Sequence, residues 1–343
     1  MKLICHIGTP KTASTFLQNT CAANPGWMRE HGLLYPDLLA PDPNHITLFY
    51  ANSDGLHAFA RDYGLHSKDD VARFRDKLTE TIARQIRKAP EGVDTMLMSS
   101  ENLTGNLVSP AGVTRLKEFL APHFDEIRIL IYIRRQDDAI LSMYGEFMRR
   151  GFTDDTFEDF ITKALGPQSV TPYLYYRRVL GMWADAFGQQ AITVRKFDRN
   201  ALIGGDILSD FMAQVLKQDI APDLAGLTPS PDNNVGLSAP VLEFLRRMYP
   251  TISNRRGDDL NPLRPLLQPM INTLPAAPRP KMSRDQSRRI MQHFRPANTW
   301  VKQTFFPDHQ GPLFPARPQS AGKGNLGKVS LDQFAEFAGK LLQ

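Results

Sequence analysis

Cysteine is nearly absent from this chain: Cys5 and Cys21 are the only two in 343 residues. Two thiols build no disulfide scaffold, and no CxxC or Cys/His spacing offers a zinc site, so no metal is expected. Long apolar runs are missing too. The opening run around Leu3-Ile4-Cys5 is too short for a signal-peptide core, and no uncharged stretch is long enough to cross a bilayer. A soluble, cytoplasmic protein without a transmembrane segment is the expectation. Nor is there a strong charge of one sign. Lys and Arg number 41 against 36 Asp and Glu, a formal +5 at pH 7. That balance suits an anionic ligand but is spread over too many residues to mark a nucleic-acid binder. Pairs such as Arg149-Arg150, Arg177-Arg178 and Arg255-Arg256 read as solvated surface.

What is present is ordinary globular material, 42% hydrophobic and 22% charged, enough for a sizeable core. Short β-branched and apolar runs at Leu3–Ile7, Thr95–Met98, Ile127–Ile133 and Ala191–Arg195 predict buried strands, each ending abruptly in polar residues. Between them lie helical patterns: Ser14–Ala22, a charged helical stretch over 56–89, Asp138–Arg149 and Tyr173–Phe187. Within that stretch Val71, Phe74, Leu78, Ile82 and Ile86 form one stripe of a helix over Lys68–Lys88. Strands alternating with helices predict an α/β fold with a mainly parallel central sheet flanked by helices, in which ligands bind beyond the carboxyl ends of the strands. Proline and glycine become frequent from Thr228 to Arg279, interrupted by a helix at Ala239–Met248. This reads as a helical and looped cap, followed by a Pro/Gly/Lys-rich mobile loop at Phe314–Lys328 and a last helix at Leu331–Leu342. The expected organisation is therefore an α/β core over 1–227, with a helical insertion at about 41–90, and a cap and C-terminal segment over 228–343 packing on the same domain.

The chemistry gathers at the strand ends. Gly8-Thr9-Pro10-Lys11-Thr12-Ala13-Ser14-Thr15 lies between a strand and a helix. Backbone N–H groups at a helix N-terminus favour an anion, Lys11 adds a charge, and Thr12, Ser14 and Thr15 add hydroxyl donors. A phosphate- or sulfate-binding cradle is the expectation. It is no Walker A loop: Ala13-Ser14 stands where Gly-Lys would be, and the lysine falls three residues early, which disfavours an ATP-dependent phosphotransferase.

The segment Pro10-Lys11-Thr12-Ala13-Ser14-Thr15 resembles the 5′-phosphosulfate-binding loop of sulfotransferases that use 3′-phosphoadenosine 5′-phosphosulfate (PAPS), with Ala13 in place of the usual glycine. An alanine that stays helical there narrows the loop slightly. In that family an arginine at a strand end and a serine eight positions on grip the nucleotide 3′-phosphate. Arg134 and Ser142 stand at that spacing, with Gln136 where proline is common. Trp183 to Gly188, Ile192 to Arg195 and Phe197-Asp198 are similar to later segments of bacterial members, so the likeness covers roughly residues 1–216. The resemblance implies a P-loop-like sulfotransferase fold. It also implies PAPS as co-substrate, with 3′-phosphoadenosine 5′-phosphate as product, and in-line transfer to a hydroxyl or amine acceptor. A saccharide or glycolipid is the acceptor class it suggests, and no nucleic acid is expected as partner.

The family's C-terminal nucleotide loop has no clear counterpart; Lys323-Gly324 could stand in, though a Gly/Lys tail is the simpler reading. A general base is also required. Glu101, ending the strand in Ser99-Ser100-Glu101, is the first candidate, with helix capping as its alternative role. His45 is the second, and His6, inside the first strand, is expected in the core. Arg246, Arg247, Arg255 and Arg256, together with Phe49, Tyr50, Tyr173, Tyr175 and Tyr176, are candidates to line an acceptor cleft. A catalytically inactive nucleotide- or glycan-binding protein of the same fold is the rival reading.

Overall fold

The structure, a computed structural model, describes residues 1–40, 42–231, 236–256, 259–317 and 324–341. Five strands, β1 (Lys2–His6), β2 (Leu33–Leu34), β3 (Thr95–Ser99), β4 (Glu126–Ile133) and β5 (Ile192–Lys196), form one sheet in the order β2-β3-β1-β4-β5. A two-residue pair, β6 (Arg255–Arg256) and β7 (Asp259–Leu260), forms a separate antiparallel ribbon. The α-helices, in chain order, are α1 (Ser14–Ala23), α2 (Pro25–Glu30), α3 (Thr47–Asn52), α4 (Lys68–Arg87), α5 (Asn102–Gly105), α6 (Pro110–Leu120) and α7 (Gln136–Arg150). They continue as α8 (Phe157–Leu165), α9 (Tyr176–Phe187), α10 (Ile207–Leu216), α11 (Ala239–Ile252), α12 (Arg264–Asn272), α13 (Arg284–Phe305) and α14 (Leu331–Leu341).

Every pairing in the five-stranded sheet is parallel. This is the α/β architecture that the alternation of strands and helices predicts. Parallel strands need crossovers, the crossovers put helices on both faces, and so the central stretches of β1, β3 and β4 are apolar on both sides. Ile4, Leu97, Leu130 and Tyr132 face one side and close on Leu17, Cys21, Phe211, Met212 and Val215 from α1 and α10. Leu3, Cys5, Ile129 and Ile131 alternate with them and are equally buried. Elsewhere in the α/β body α6 packs on α9 and α3, and α3 on α4.

The chain divides into two compact units. The first comprises 1–134, 173–231 and 300–307, and the second 135–172, 232–299 and 308–343. Within the first, a buried carboxylate ties β4, β5 and α10 together. Asp210 accepts from the Tyr132 hydroxyl at 2.6 Å, from Arg195 through two nitrogens, and from the Ile203 amide at 2.9 Å. Burial, and then the neighbouring Asp210 charge, pushes the Tyr132 hydroxyl well above its ordinary range.

The second unit is helical. α7 packs on α8, α11 and α12, and α14 on α11 and α12. Phe244 meets Phe334 and Phe337 edge-on, and Tyr144 meets Phe157 and Phe160. The start of α7 is held by polar bonds. Gln136, fully buried, exchanges amide bonds with Asn298 at 2.6 and 3.1 Å. Asp137, also buried, accepts from Arg135 and from the Ser287 hydroxyl at 2.6 Å. Gln136 at the position where the resembling family often has proline therefore fills a packing role of its own.

Three differences from the sequence expectations have physical causes. The 3₁₀ turn Pro172–Leu174 separates from α9, so helix 173–187 starts three residues late. α11 runs on through Pro250 to Ile252, beyond the expected end at Met248. α6, α8, α12 and α13 have no counterpart among the expected elements; in α13 the polar Asn298, buried between Phe294 and Val301 on the inward face, breaks the apolar stripe that starts at Ile290.

Asp210→Ala should destabilise the chain by about 3 kcal/mol, because it leaves the Tyr132 hydroxyl and a half-buried guanidinium without their acceptor. Urea unfolding followed by circular dichroism reads this directly.

Candidate functional site

β1 lies between β3 and β4, so the chain segments leaving these three strands emerge side by side at the carboxyl edge of the sheet. The order also reverses here, since the chain goes from β1 to one side of the sheet and returns to the other, the point at which open α/β sheets bind their ligands.

The segment leaving β1 is tightly specified. Gly8 has φ +48°, and a Cβ on it would lie 2.9 Å from the Ser14 hydroxyl oxygen and 3.1 Å from the Cα of Glu101. No side chain fits. Thr104, on α5, donates its hydroxyl to the Gly8 carbonyl and so fixes the loop from the β3 side. From the β4 side, Thr9 donates to the Tyr132 carbonyl at 2.5 Å, and Arg134 donates through Nη1 to the Lys11 carbonyl at 2.8 Å. Lys11 (φ 70°) and Ala13 (φ 65°) both adopt left-handed backbone conformations. Residues of this kind turn successive N–H groups toward one concavity, an arrangement suited to anions. They also cost about 1–2 kcal/mol each for an L-residue. The expectation that Ala13 stays helical is thus corrected: it sits outside α1 as its N-cap, in the conformation that glycine adopts without penalty.

The hydroxyls of the loop divide by role. Thr12 is buried and gives its proton to the Thr9 carbonyl at 2.7 Å, so it shapes the turn. Thr15 is exposed. Ser14 is buried, and its hydroxyl has no hydrogen-bond partner among the described residues. The same is true of Ser100 and of Tyr173. Orphaned buried hydroxyls are rare enough to call for an explanation. Burial, followed by the neighbouring Tyr176 and Glu101, raises the Tyr173 hydroxyl far above its ordinary value, while Arg134 opposes the shift. Tyr173 therefore stays protonated as a donor, close to Glu101 and Arg134. The first turn of α1 adds backbone N–H groups that have no partner within the helix.

Arg134 is rigidly placed. Its amide donates to the Tyr176 hydroxyl at 2.9 Å, that hydroxyl donates to the Arg134 carbonyl at 2.6 Å, and the guanidinium lies 5.5 Å from the Phe197 ring centre. Glu101 occupies the N-cap position of α5 but makes no side-chain cap bond. The capping role considered for it is absent, and its Cβ lies 3.2 Å from where a Gly8 Cβ would be.

His45 has a different occupation. It is buried; Nδ1 accepts from the Ser99 amide at 2.8 Å, and Nε2 donates to the Pro36 carbonyl at 2.8 Å. Its own amide donates to the Ser99 carbonyl at 2.9 Å. Because β2 is only two residues long, His45 completes the edge of β3 that β2 leaves open. With both nitrogens engaged, it has no lone pair to offer an acceptor. His6 is in the core as expected, bonded through Nδ1 to Ser99 at 2.8 Å. Both cysteines are buried free thiols pushed up to about 12 by burial.

The first unit thus brings Lys11, Ser14, Glu101 and Arg134 together around Gly8, while Ser142 lies half-buried on the second turn of α7 in the second unit. Lys323 lies outside the described residues; Gly324 and Asn325 are pinned to 279–283 by bonds between Asn325 and Lys281. Phe49 and Tyr50 are core residues; Tyr173 and Tyr176, also buried, lie beside Arg134, and Tyr175 is half-buried. Arg246 and Arg247 both bind the buried Glu243 at 2.7–2.9 Å. Gly8 and Ser100 lie in segments that the sequence marks, but their roles at the site, and Thr104 altogether, carry no sequence signal. Among the described residues no helix is long and apolar enough to cross a membrane, and no group of three or more His, Cys, Asp or Glu could hold a metal ion.

No protein-family model matches the chain, and no curated protein does. Solved structures do. A sulfotransferase from Alicyclobacillus acidocaldarius aligns at 16% identity and TM-score 0.41, covering 67% of this chain and 86% of that one. The sulfotransferase domain of the Synechococcus PCC 7002 olefin synthase aligns at 15% and 0.32, covering 79% and 92%. That of the curacin biosynthetic pathway aligns at 13% and 0.30, covering 67% and 78%. Likeness at these values assigns neither a family nor an activity.

Two outcomes follow from this geometry. Ala13→Gly should raise stability by about 1 kcal/mol in urea unfolding, since it relieves a left-handed alanine. The second concerns pH. Burial lowers His6 to about 3 and His45 to about 4, from an ordinary 6.5. Between 6.5 and those values the unfolded chain binds protons that the folded chain excludes. Stability should therefore fall as pH drops below 6.5, by roughly 1.4 kcal/mol per pH unit for each histidine. His6→Met should remove about half of that slope when unfolding is compared at pH 7, 6 and 5.

Proposed function

We propose that this chain is a sulfotransferase, taking a sulfuryl group from PAPS and passing it to a hydroxyl or amine acceptor. The observation that carries this reading is the cradle after β1. It combines two left-handed residues around Thr12, a buried and unpartnered Ser14 hydroxyl, and Glu101 packed against Gly8. Orphaned donors facing a lysine-bearing loop fit a divalent oxyanion ester. The donor would supply an activated sulfuryl group whose transfer needs positioning and charge stabilisation more than covalent participation by the protein.

In this mechanism Lys11, with the Ser14 hydroxyl and the first-turn amides of α1, holds the 5′ end of the donor and stabilises charge developing on the leaving oxygen. Arg134 offers a guanidinium fork to the 3′-phosphate, which a lysine could not match in geometry. For Ser142 as a second 3′-phosphate contact, the sequence resemblance is the support. Glu101 accepts the proton of the attacking hydroxyl or amine as its new bond to sulfur forms in line with the departing phosphate oxygen. A saccharide or glycolipid hydroxyl is the acceptor class that the resemblance favours.

Titration calorimetry with 3′,5′-adenosine bisphosphate, ATP and 5′-AMP tests the donor site. The bisphosphate should bind most tightly, and Arg134→Ala and Ser14→Ala should each weaken it, the former by about 10- to 100-fold. Glu101→Gln should leave that affinity intact and lower turnover of labelled PAPS by about 10²–10⁴. Equal affinity for ATP would sink the reading.

A further inference from the structure

The first unit has a second concave site, at the edge of the sheet opposite the cradle. β5 pairs with β4 only from Ile129 onward, so Glu126, Ile127 and Arg128 overhang it at the amino end. Ala213 and Gln214 of α10 and Gln190 before β5 close over this notch, leaving a cavity of about 560 Å³. That volume lies within the range of small-molecule sites. Arg128 is the anomaly in it. It shares the face of β4 that carries Leu130 and Tyr132, and so reaches under α10. Its guanidinium is half-buried, and Nη1 is enclosed without a hydrogen-bond partner among the described residues.

A buried guanidinium nitrogen without an acceptor costs stability, and the carboxylates lining the same cavity do not relieve it. Glu126 is engaged by Lys217 at 3.3 Å. Asp219 stands exposed on the rim, in no ion pair among the described residues. The four charged groups therefore reduce to one bound pair and one separated pair, Arg128 inside and Asp219 at the mouth. This pattern selects against phosphate or sulfate, which would find one unpaired guanidinium and meet two carboxylates. It fits a small molecule carrying both charges. A carboxylate takes the guanidinium fork, and an ammonium faces Asp219. The side-chain amides of Gln190 and Gln214 can donate to the first and accept from the second.

We infer that this cavity binds a small zwitterion of the amino-acid class, its carboxylate on Arg128 and its ammonium at Asp219. The site shares no residue with the cradle after β1, and the inference stands or falls separately from sulfuryl transfer.

Saturation-transfer NMR titrations of the full chain are the test. The probes are L-alanine, L-leucine and L-glutamine, with propionate, propylamine and inorganic sulfate as comparators. At least one amino acid should bind more tightly than propionate or propylamine, and sulfate should not displace it. Arg128→Met, which keeps the aliphatic stem, should abolish that binding. Asp219→Asn should weaken the amino acid by about tenfold and leave propionate unchanged. Urea unfolding without ligand gives a readout independent of binding. There Arg128→Met should keep or raise the midpoint, because it removes a partly buried charge that has no partner. Binding of none of the three amino acids, or equal competition by sulfate, overturns the inference. So does a lowered midpoint in Arg128→Met that is coupled to Asp219→Asn in the double variant, since the two side chains would then serve only each other.

Discussion

Gly8 approaches the end of β3 so closely that the Cα of Glu101 lies 3.1 Å from where a side chain would begin. That contact can form only because β1 and β3 are parallel neighbours ending in register, His6 beside Ser99. It fixes the direction in which the chain leaves the sheet. Thr104 then holds the Gly8 carbonyl, Thr9 reaches across to Tyr132 on β4, and Arg134 captures the carbonyl of Lys11. The loop is thus pinned from both flanking strands before α1 begins, and the left-handed turns at Lys11 and Ala13 are imposed by those anchors.

The cost of this arrangement is visible in the residues that carry it. Two non-glycine residues adopt left-handed conformations, and three hydroxyls, those of Ser14, Ser100 and Tyr173, are buried without partners. Neither feature helps the fold by itself. Strained backbone and unsatisfied polar groups persist where surrounding structure over-determines them, here as at Thr47 and Trp183 elsewhere in the chain. Asp210 shows the contrast: equally buried, it is satisfied by Tyr132, Arg195 and the Ile203 amide, and it belongs to the core.

The second unit follows a different rule. Its helices close on aromatic contacts such as Phe244 with Phe337, and buried amide and carboxylate bonds at Gln136 and Asp137 set where α7 starts. In the segment from Leu260 to Leu266 the usual preference is reversed, because Asn261 and Arg264 satisfy carbonyls that would otherwise be buried without donors. The leucines are left outside as a consequence of where the polar groups were needed.

The sequence by itself determined the α/β class, the strands at 3–7, 95–98 and 127–133, and the polar segments that follow them, because apolar runs that stop at glycine or charge are local patterns. The helix over 68–88 was legible for the same reason. The tertiary structure decided what those patterns could not contain. A strand two residues long, Leu33–Leu34, carries no periodic signal, yet it leaves an edge that His45 must fill, and this turns a candidate base into a structural clamp. Ala13 reads as helical in one dimension but is left-handed in a loop whose Thr9 and Lys11 are bonded to Tyr132 and Arg134, more than a hundred positions away. The burial of Ser14, Ser100 and Tyr173, like the exposure of Leu260 and Leu266, depends on which surfaces meet in space, and spacing along a chain does not encode that meeting.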